Sequence, residues 1–304
     1  MEISQIFTEY QQKACQLKSS DLYFFPGKDH YRVIILSQSN YIECDQLSLP
    51  LGQQLIQYIK YQAEMDITDC RRPQVGSWQL GFQGQTITLR VASVATVSGL
   101  ESLVVRFLYP LSMLNLHFEQ QYRFKRLTNS LAIKQGLILL AGQMGCGKTS
   151  TLHAALADLP SHKVVVTIEE PVEIFNANYL QFEVNPPAHL DYADLLMIAL
   201  RLRANVIVIG EIRDSKTASL AIEAALSGHL VLSTIHARST RGCWLRMLDL
   251  EVTEPLLKEA VVGLAYQKLL VKADGRLSAD LDYATGGVLI KLLEQKKEFT
   301  DDIF

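Results

Sequence analysis

Apolar residues over the first hundred positions come in short alternating runs interrupted by helical repeats. Ile6, Tyr10, Ala14 and Leu17 recur at intervals of three and four, the spacing of one helix face. LYFF and YRVIIL follow as strand-like runs separated by the turn PGKDH. LGQQLIQYIKYQAEM sets Leu51, Leu55, Tyr58, Ile59 and Gln62 on one face of a second helix, and WQLGF, TITLRVASV and SLVVRFL read as further strands. Together they predict an α+β domain over 1–110, closed by Tyr109-Pro110. LSMLNLHFEQQYRFKRLTNSLAIKQ reads as a connector followed by a helix, with a linker over 111–130. Beyond it the pattern becomes strand, helix, strand, helix, which implies an α/β core over 131–304 built on a parallel sheet with crossover helices. No internal repeat or low-complexity tract interrupts it.

Composition narrows the class without naming a function. The chain has 304 residues, 48% of them hydrophobic and 20% charged, as in an ordinary soluble globular protein. A net charge of −3 offers no polyelectrolyte surface, so direct binding of nucleic acid through its phosphates is not expected. No apolar run approaches the ~18 residues of a membrane span. The N-terminal stretch lacks the cationic and apolar blocks of a secretory signal. Five scattered cysteines form no C-x-x-C pair, which argues against a disulfide framework and a structural zinc site. The expected location is the cytoplasm.

The chemistry is concentrated in the second half. LILLAGQMGCGKTSTLHAAL, residues 137–156, carries a buried strand and then the spacing G-x-x-x-x-G-K-[ST]. Glycines let backbone N–H groups converge on phosphate oxygens, and a helix opening at Lys148 aims its positive end at the same place. The nucleotide-binding candidates are Gly142, Gln143, Met144, Gly145, Cys146, Gly147, Lys148, Thr149 and Ser150. Lys148 would reach the phosphates and the Thr149 hydroxyl would ligate Mg²⁺. A thiol at Cys146, beside a helix N-terminus and Lys148, is expected to have a lowered pKa. VVVTIEEPVEIF is a second buried strand ending in Glu169, Glu170 and Glu173, where ligands bind in open α/β sheets. NVIVIGEIRD carries Glu211 at the place of the acidic residue that completes a magnesium shell. GHLVLSTIHA is a third strand with His229 and His236 at its ends.

Four such boxes in this order resemble the ATPases of type II secretion and type IV pilus assembly, a family of RecA-like traffic ATPases. GQMGCGKTSTLHA resembles its phosphate loop, TIEEPVE its acidic box with Glu170 where aspartate is usual, LRLRANVIVIGEIRD its second acidic strand, and SGHLVLSTIHA its histidine box. RRPQVGSWQL and TLRVASVATVSGLESLVVRFL resemble the domain preceding the core, so the likeness runs from about residue 20 to 270. Ala204-Asn205 stands where the family usually has Pro-Asp, which should adjust the turn into the strand. The short first domain and the lack of a four-cysteine zinc module resemble the competence pilus motor of Gram-positive bacteria.

The resemblance implies a RecA-like P-loop NTPase core behind a smaller, PAS-like N-terminal domain, and ATP with Mg²⁺ as ligands. It implies that Glu173 positions or deprotonates water with support from Glu169 or Glu170, and that Thr149 and Glu211 hold the metal. His229 and His236 would sense the γ-phosphate. Arg90 and Arg106, without an acidic neighbour in sequence except Glu101, would neutralise charge developing there. It also implies a homo-hexamer pushing on an inner-membrane platform protein from the cytoplasm. A retraction or type II secretion motor, a RecA-like nucleic-acid translocase and a non-hydrolysing scaffold are the alternatives.

Overall fold

A computed structural model describes residues 2–37, 40–160, 162–185, 188, 190–273 and 276–294. The chain forms two compact units that divide between Leu114 and Asn115.

The first unit contains α1 (Ile3–Gln16), β1 (Asp21–Pro26), β2 (His30–Ser37), β3 (Asn40–Ser48), α2 (Leu49–Gln62), β4 (Gln74–Phe82), β5 (Gln85–Ala95) and β6 (Glu101–Leu108). Its strands form one antiparallel sheet in the order β3-β2-β1-β6-β5-β4. Alternate residues such as Leu22, Phe24, Val33, Ile35, Leu89 and Val105 turn to one face and pack with Phe7, Tyr10 and Ala14 of α1 and Leu55, Ile56 and Ile59 of α2. The sequence pattern does not predict β3, because this edge strand is mostly exposed and has no apolar alternation to read. The buried face of α2 also holds Lys60, which the helical repeat does not select. Its Nζ donates to Glu101 Oε1 at 2.7 Å and to the Asp69 carbonyl at 2.9 Å, and Ser93 Oγ donates to the same carboxylate oxygen at 3.0 Å. A buried charge is tolerated only with such a partner set.

The second unit contains α3 (Gln121–Ser130), β7 (Gly136–Gly142), α4 (Lys148–Leu156), β8 (Val165–Glu169), β9 (Leu180–Glu183), α5 (Tyr192–Arg201), β10 (Val206–Glu211), α6 (Ser215–Leu226), β11 (Leu230–Ile235), α7 (Thr240–Asp249), α8 (Glu254–Ala260), β12 (Val261–Val271), β13 (Leu277–Thr285) and α9 (Gly286–Glu294). The sheet runs β13-β12-β7-β11-β10-β8-β9, parallel throughout except for the β12–β13 pair. Every residue of β7 is buried, and its side chains serve both faces. Leu137, Leu139 and Ala141 join the core under α5 to α8, while Ile138 and Leu140 join the core under α3 and α4. Such two-sided burial explains why these strands read as continuous apolar runs. α3 lies within the expected linker, yet Leu127 and Leu131, four apart on one face, are buried against this sheet. The architecture is an α/β RecA-like core. Among the described residues no helix is long and apolar enough to cross a membrane.

Candidate active site

All the parallel strands point their carboxyl ends to one edge, so motifs far apart in sequence become neighbours in the order β7, β11, β10, β8. At this edge β7 leads into the phosphate loop and α4 opens at Lys148, as its sequence predicts. The loop is built on glycines that other residues replace only with strain or a clash. A Cβ on Gly142 would stand 2.5 Å from the Gln267 carbonyl oxygen and 2.6 Å from the Cys146 sulfur. Gly147 caps α4 in the left-handed region with φ 85°, where a side chain is strained. Lys148 Nζ donates to the carbonyls of Gly142 at 2.9 Å and Gln143 at 3.0 Å. An ammonium held by the carbonyl rim of its own loop can exchange those carbonyls for anionic oxygens. Gln267 of β12 supports the loop from beneath, donating to the Cys146 carbonyl at 2.6 Å.

The acidic groups meet the loop across a cavity of about 350 Å³. Lys148, Thr149, Ser150, Glu169, Glu170, Glu173, Glu211 and His236 all line it. Glu169, the last residue of β8, is buried. Its Oε1 accepts from Thr167 at 2.7 Å and from Gln181 of β9 at 3.2 Å. Burial pushes its carboxyl above the ordinary value, while Thr167, Gln181 and the Glu173 amide pull the other way. Glu170 precedes a cis proline, Pro171, and its Oε2 lies 3.6 Å from Arg213. Glu211 ends β10 between a guanidinium and an imidazole. Arg213 Nε donates to Oε2 at 2.7 Å, and His236 Nε2 lies 2.7 Å from Oε1. Asn205 fills the place of the usual aspartate and performs a structural task there. Its Oδ1 accepts from the Val164 amide at 2.8 Å, which registers the start of β10 against β8.

Three expectations need correction. His229 and His236 bracket β11, but a strand of this length separates its ends by roughly 20 Å, and only His236 reaches the cavity. His229 sits at the amino end, 3.3 Å from the Ser227 hydroxyl. Cys146 is buried, and desolvation raises its thiol pKa above the ordinary value, outweighing the pull of Lys148. Arg106 does have an acidic neighbour. Asp21, distant in sequence, faces it from β1 and accepts from its Nε at 2.9 Å. Arg90 and Arg106 lie in the first unit, on paired positions of β5 and β6.

Motif reading misses several residues of this site. Gln267 is a buried polar residue that follows the apolar first half of β12, which is the one signal it gives. Arg213 stands within GEIRD but binds Glu211 and Glu170 through geometry that no spacing reveals. Thr167 reaches Glu169 as the alternate residue on the same face of β8, and Gln181 reaches it only because β9 pairs beside β8.

The donors fit a nucleotide with its magnesium. Loop amides and Lys148 suit phosphate oxygens, and the Thr149 hydroxyl and Glu211 carboxylate are hard oxygen donors. Among the described residues no group of three or more His, Cys, Asp or Glu side chains could hold a metal ion alone, so an ion here would share its ligands with phosphate.

Comparison with known proteins agrees with this geometry. Residues 2–297 match the family model described as type II/IV secretion system protein. Competence protein ComGA of Streptococcus pneumoniae is 33% identical over 276 residues, covering 88% of this chain and 85% of that one. Type II secretion system protein E of Xanthomonas campestris is 34% identical over 270 residues, covering 86% of this chain but 47% of that protein, so the chain spans about half its length. Among solved structures, the ATPase DotB of Legionella pneumophila superposes with a TM-score of 0.75 at 23% identity, covering 96% of this chain and 84% of that one. The pilus retraction motor PilT with bound ADP gives 0.68 at 22% identity, covering 94% and 85%. These two establish a shared fold. The chain belongs to the type II/IV secretion system protein family and is a P-loop ATPase.

Proposed function

We propose that this chain hydrolyses ATP as the cytoplasmic motor subunit that assembles a type IV-like competence pilus for DNA uptake, acting as a homo-hexamer. The observation that carries the enzymatic part is the convergence of Lys148, Glu173, Glu211 and His236 on one cavity. The pilus assignment draws on the likeness to competence protein ComGA, of which the chain covers 85%. Lys148 leaves the carbonyls of Gly142 and Gln143 for the phosphates, while the amides of the loop hold the rest of the chain of charges. Thr149 and Glu211 would hold Mg²⁺, which would supply neutralisation of phosphate charge. Glu173 orients the attacking water and accepts its proton, and Glu169 holds the acidic loop in place. His236, paired with Glu211, registers the γ-phosphate. Arg90 and Arg106 supply further positive charge to the developing transition state. The motor works at the inner face of the membrane through a platform protein.

The second reading is a type II secretion motor, favoured by the 34% identity to type II secretion system protein E. Direct work on nucleic acid is disfavoured by the net charge of −3. ATPase rate measured with and without DNA, and native mass with and without ATP, test the proposal. Turnover that is independent of DNA and a six-subunit mass with ATP are expected. A DNA-stimulated rate, or a monomer under all conditions, sinks the motor reading.

A further inference from the structure

His153 lies on α4 four residues after Thr149, one turn deeper on the same helix face. It lines the nucleotide cavity, is 2% exposed, and neither ring nitrogen has a hydrogen-bond partner among the described residues. Burying two polar nitrogens without partners is unfavourable, and a leucine or phenylalanine would fill the same space without that cost. The ring has a polar group to turn toward. Nε2 stands 4.0 Å from Glu169 Oε2, while Tyr179 flanks the imidazole with ring centroids 6.2 Å apart. At 4.0 Å this is no hydrogen bond, but closure by about 1 Å makes it one. Glu169 already takes Thr167 and Gln181 on its other oxygen, and the Glu173 amide stabilises its charged form. Whatever fixes the Glu169 carboxylate therefore fixes the loop that carries Glu173. Burial lowers the imidazole pKa to about 4, so the ring is neutral and can donate one N–H at neutral pH.

We propose that His153 is a positioning residue for ATP hydrolysis: on nucleotide binding its Nε2–H donates to Glu169 Oε2 and locks the acidic loop with Glu173 over the γ-phosphate. This rests on the reading of Glu173 as the residue that orients water. The test compares the full-length chain with His153→Leu, His153→Gln, Glu169→Gln and the His153→Leu/Glu169→Gln double variant. Thermal melting, the Kd of a fluorescent ATP analogue, and kcat and KM for ATP are measured for each. The expected pattern is a melt no lower than wild type and an unchanged Kd for His153→Leu, with kcat lower by about 10- to 100-fold, the scale of a misplaced reacting group. His153→Gln, whose amide can donate to the same oxygen, recovers most of the rate. The double variant is no slower than its slower parent, because the two residues act in series. Wild-type kcat in His153→Leu, a glutamine variant as slow as leucine, or additive losses in the double variant would each overturn the proposal. If His153→Leu does not fold, the glutamine variant and the Glu169→Gln comparison decide by the same criteria. A wild-type chain without ATPase activity overturns the underlying reading and this proposal with it, whereas normal wild-type turnover with an indifferent His153 overturns this proposal alone.

Discussion

Arg90 of β5 stands directly opposite Arg106 of β6, and Arg106 is in turn opposite Asp21 of β1, to which it is bonded at 2.9 Å. Like charges facing each other across a ladder weaken strand pairing, and Asp21 offsets that repulsion on one side. Removing Arg106 should therefore have two separable effects. Arg106→Ala leaves the buried Asp21 carboxylate without this partner, at a cost of about 1–3 kcal/mol and a melting point lower by several degrees. Adding Asp21→Asn should restore the melt. If Arg106 also serves the phosphates, ATPase activity stays low in the restored double variant, and recovery of full turnover would assign the arginine to structure alone.

Mixing chains distinguishes where the arginines act. A Lys148→Ala chain and an Arg90→Ala/Arg106→Ala chain should each be inactive alone. Mixed hexamers should regain part of the rate if the arginines reach a neighbouring subunit's nucleotide. Mixtures that regain none place the arginines with their own chain's site.

The phosphate loop and the Glu211 carboxylate should fail differently. Lys148→Ala removes the cation that the loop carbonyls now hold, and nucleotide affinity and kcat/KM should both collapse, the latter on the order of 100-fold or more. Glu211→Gln keeps the shape of the site and should bind nucleotide within a few-fold of normal while kcat falls by about 100-fold. Equilibrium binding and steady-state rates on the same preparations check both.

Cys146 should be inert. Its thiol is buried and shifted away from thiolate formation, so a chromogenic disulfide reagent should modify the half-exposed Cys44 and Cys70 first. Cys146 should label slowly with or without ATP, and Cys146→Ser should retain kcat within about twofold.

Acid should unfold the chain partly through His153. Its pKa falls from 6.5 in the open chain to about 4 when folded, so the unfolded state binds the extra proton between those values. The stabilisation relative to a protonated ring is complete above pH 6.5 and is lost as pH falls toward 4. Glu169, whose carboxyl is raised by burial, acts in the opposite sense, losing stability as pH rises through its range. Subtracting the His153→Leu chain isolates the histidine. Between pH 7 and pH 4.5 the wild-type chain should lose about 2–3 kcal/mol more than the variant in urea titrations.

Much of the ATPase core is legible in the sequence because its strands are buried on both faces. β7 and the first four residues of β10 then read as apolar runs, β8 and β11 are interrupted by Thr167 and by Ser233 and Thr234, and each ends at its chemistry. β3 is illegible for the opposite reason, since an exposed edge strand imposes no pattern. Glu169, Glu211 and Lys148 announce themselves through motifs. Their partners do not, because Gln181, Arg213, Gln267 and His153 are selected by strand order and helix packing rather than by spacing. The Cys146 expectation fails because sequence gives proximity to a helix end but not desolvation. The same holds for Arg106, whose counter-ion is supplied by a strand 85 positions away.

The placement of β9 has a consequence for how the protein loses activity. β7 is paired on both sides and wholly buried, so its amides open only with the sheet itself. β9 is a four-residue edge strand, half exposed and paired on one side only. Yet it carries Gln181, one of the two side chains fastened to Glu169. Fraying of that edge releases the acidic loop while the phosphate loop, anchored at the sheet's centre, stays intact. Mild heat or dilute denaturant should therefore produce a chain that still captures nucleotide but has stopped turning it over, with amide exchange appearing at residues 180–183 well before it reaches 136–142.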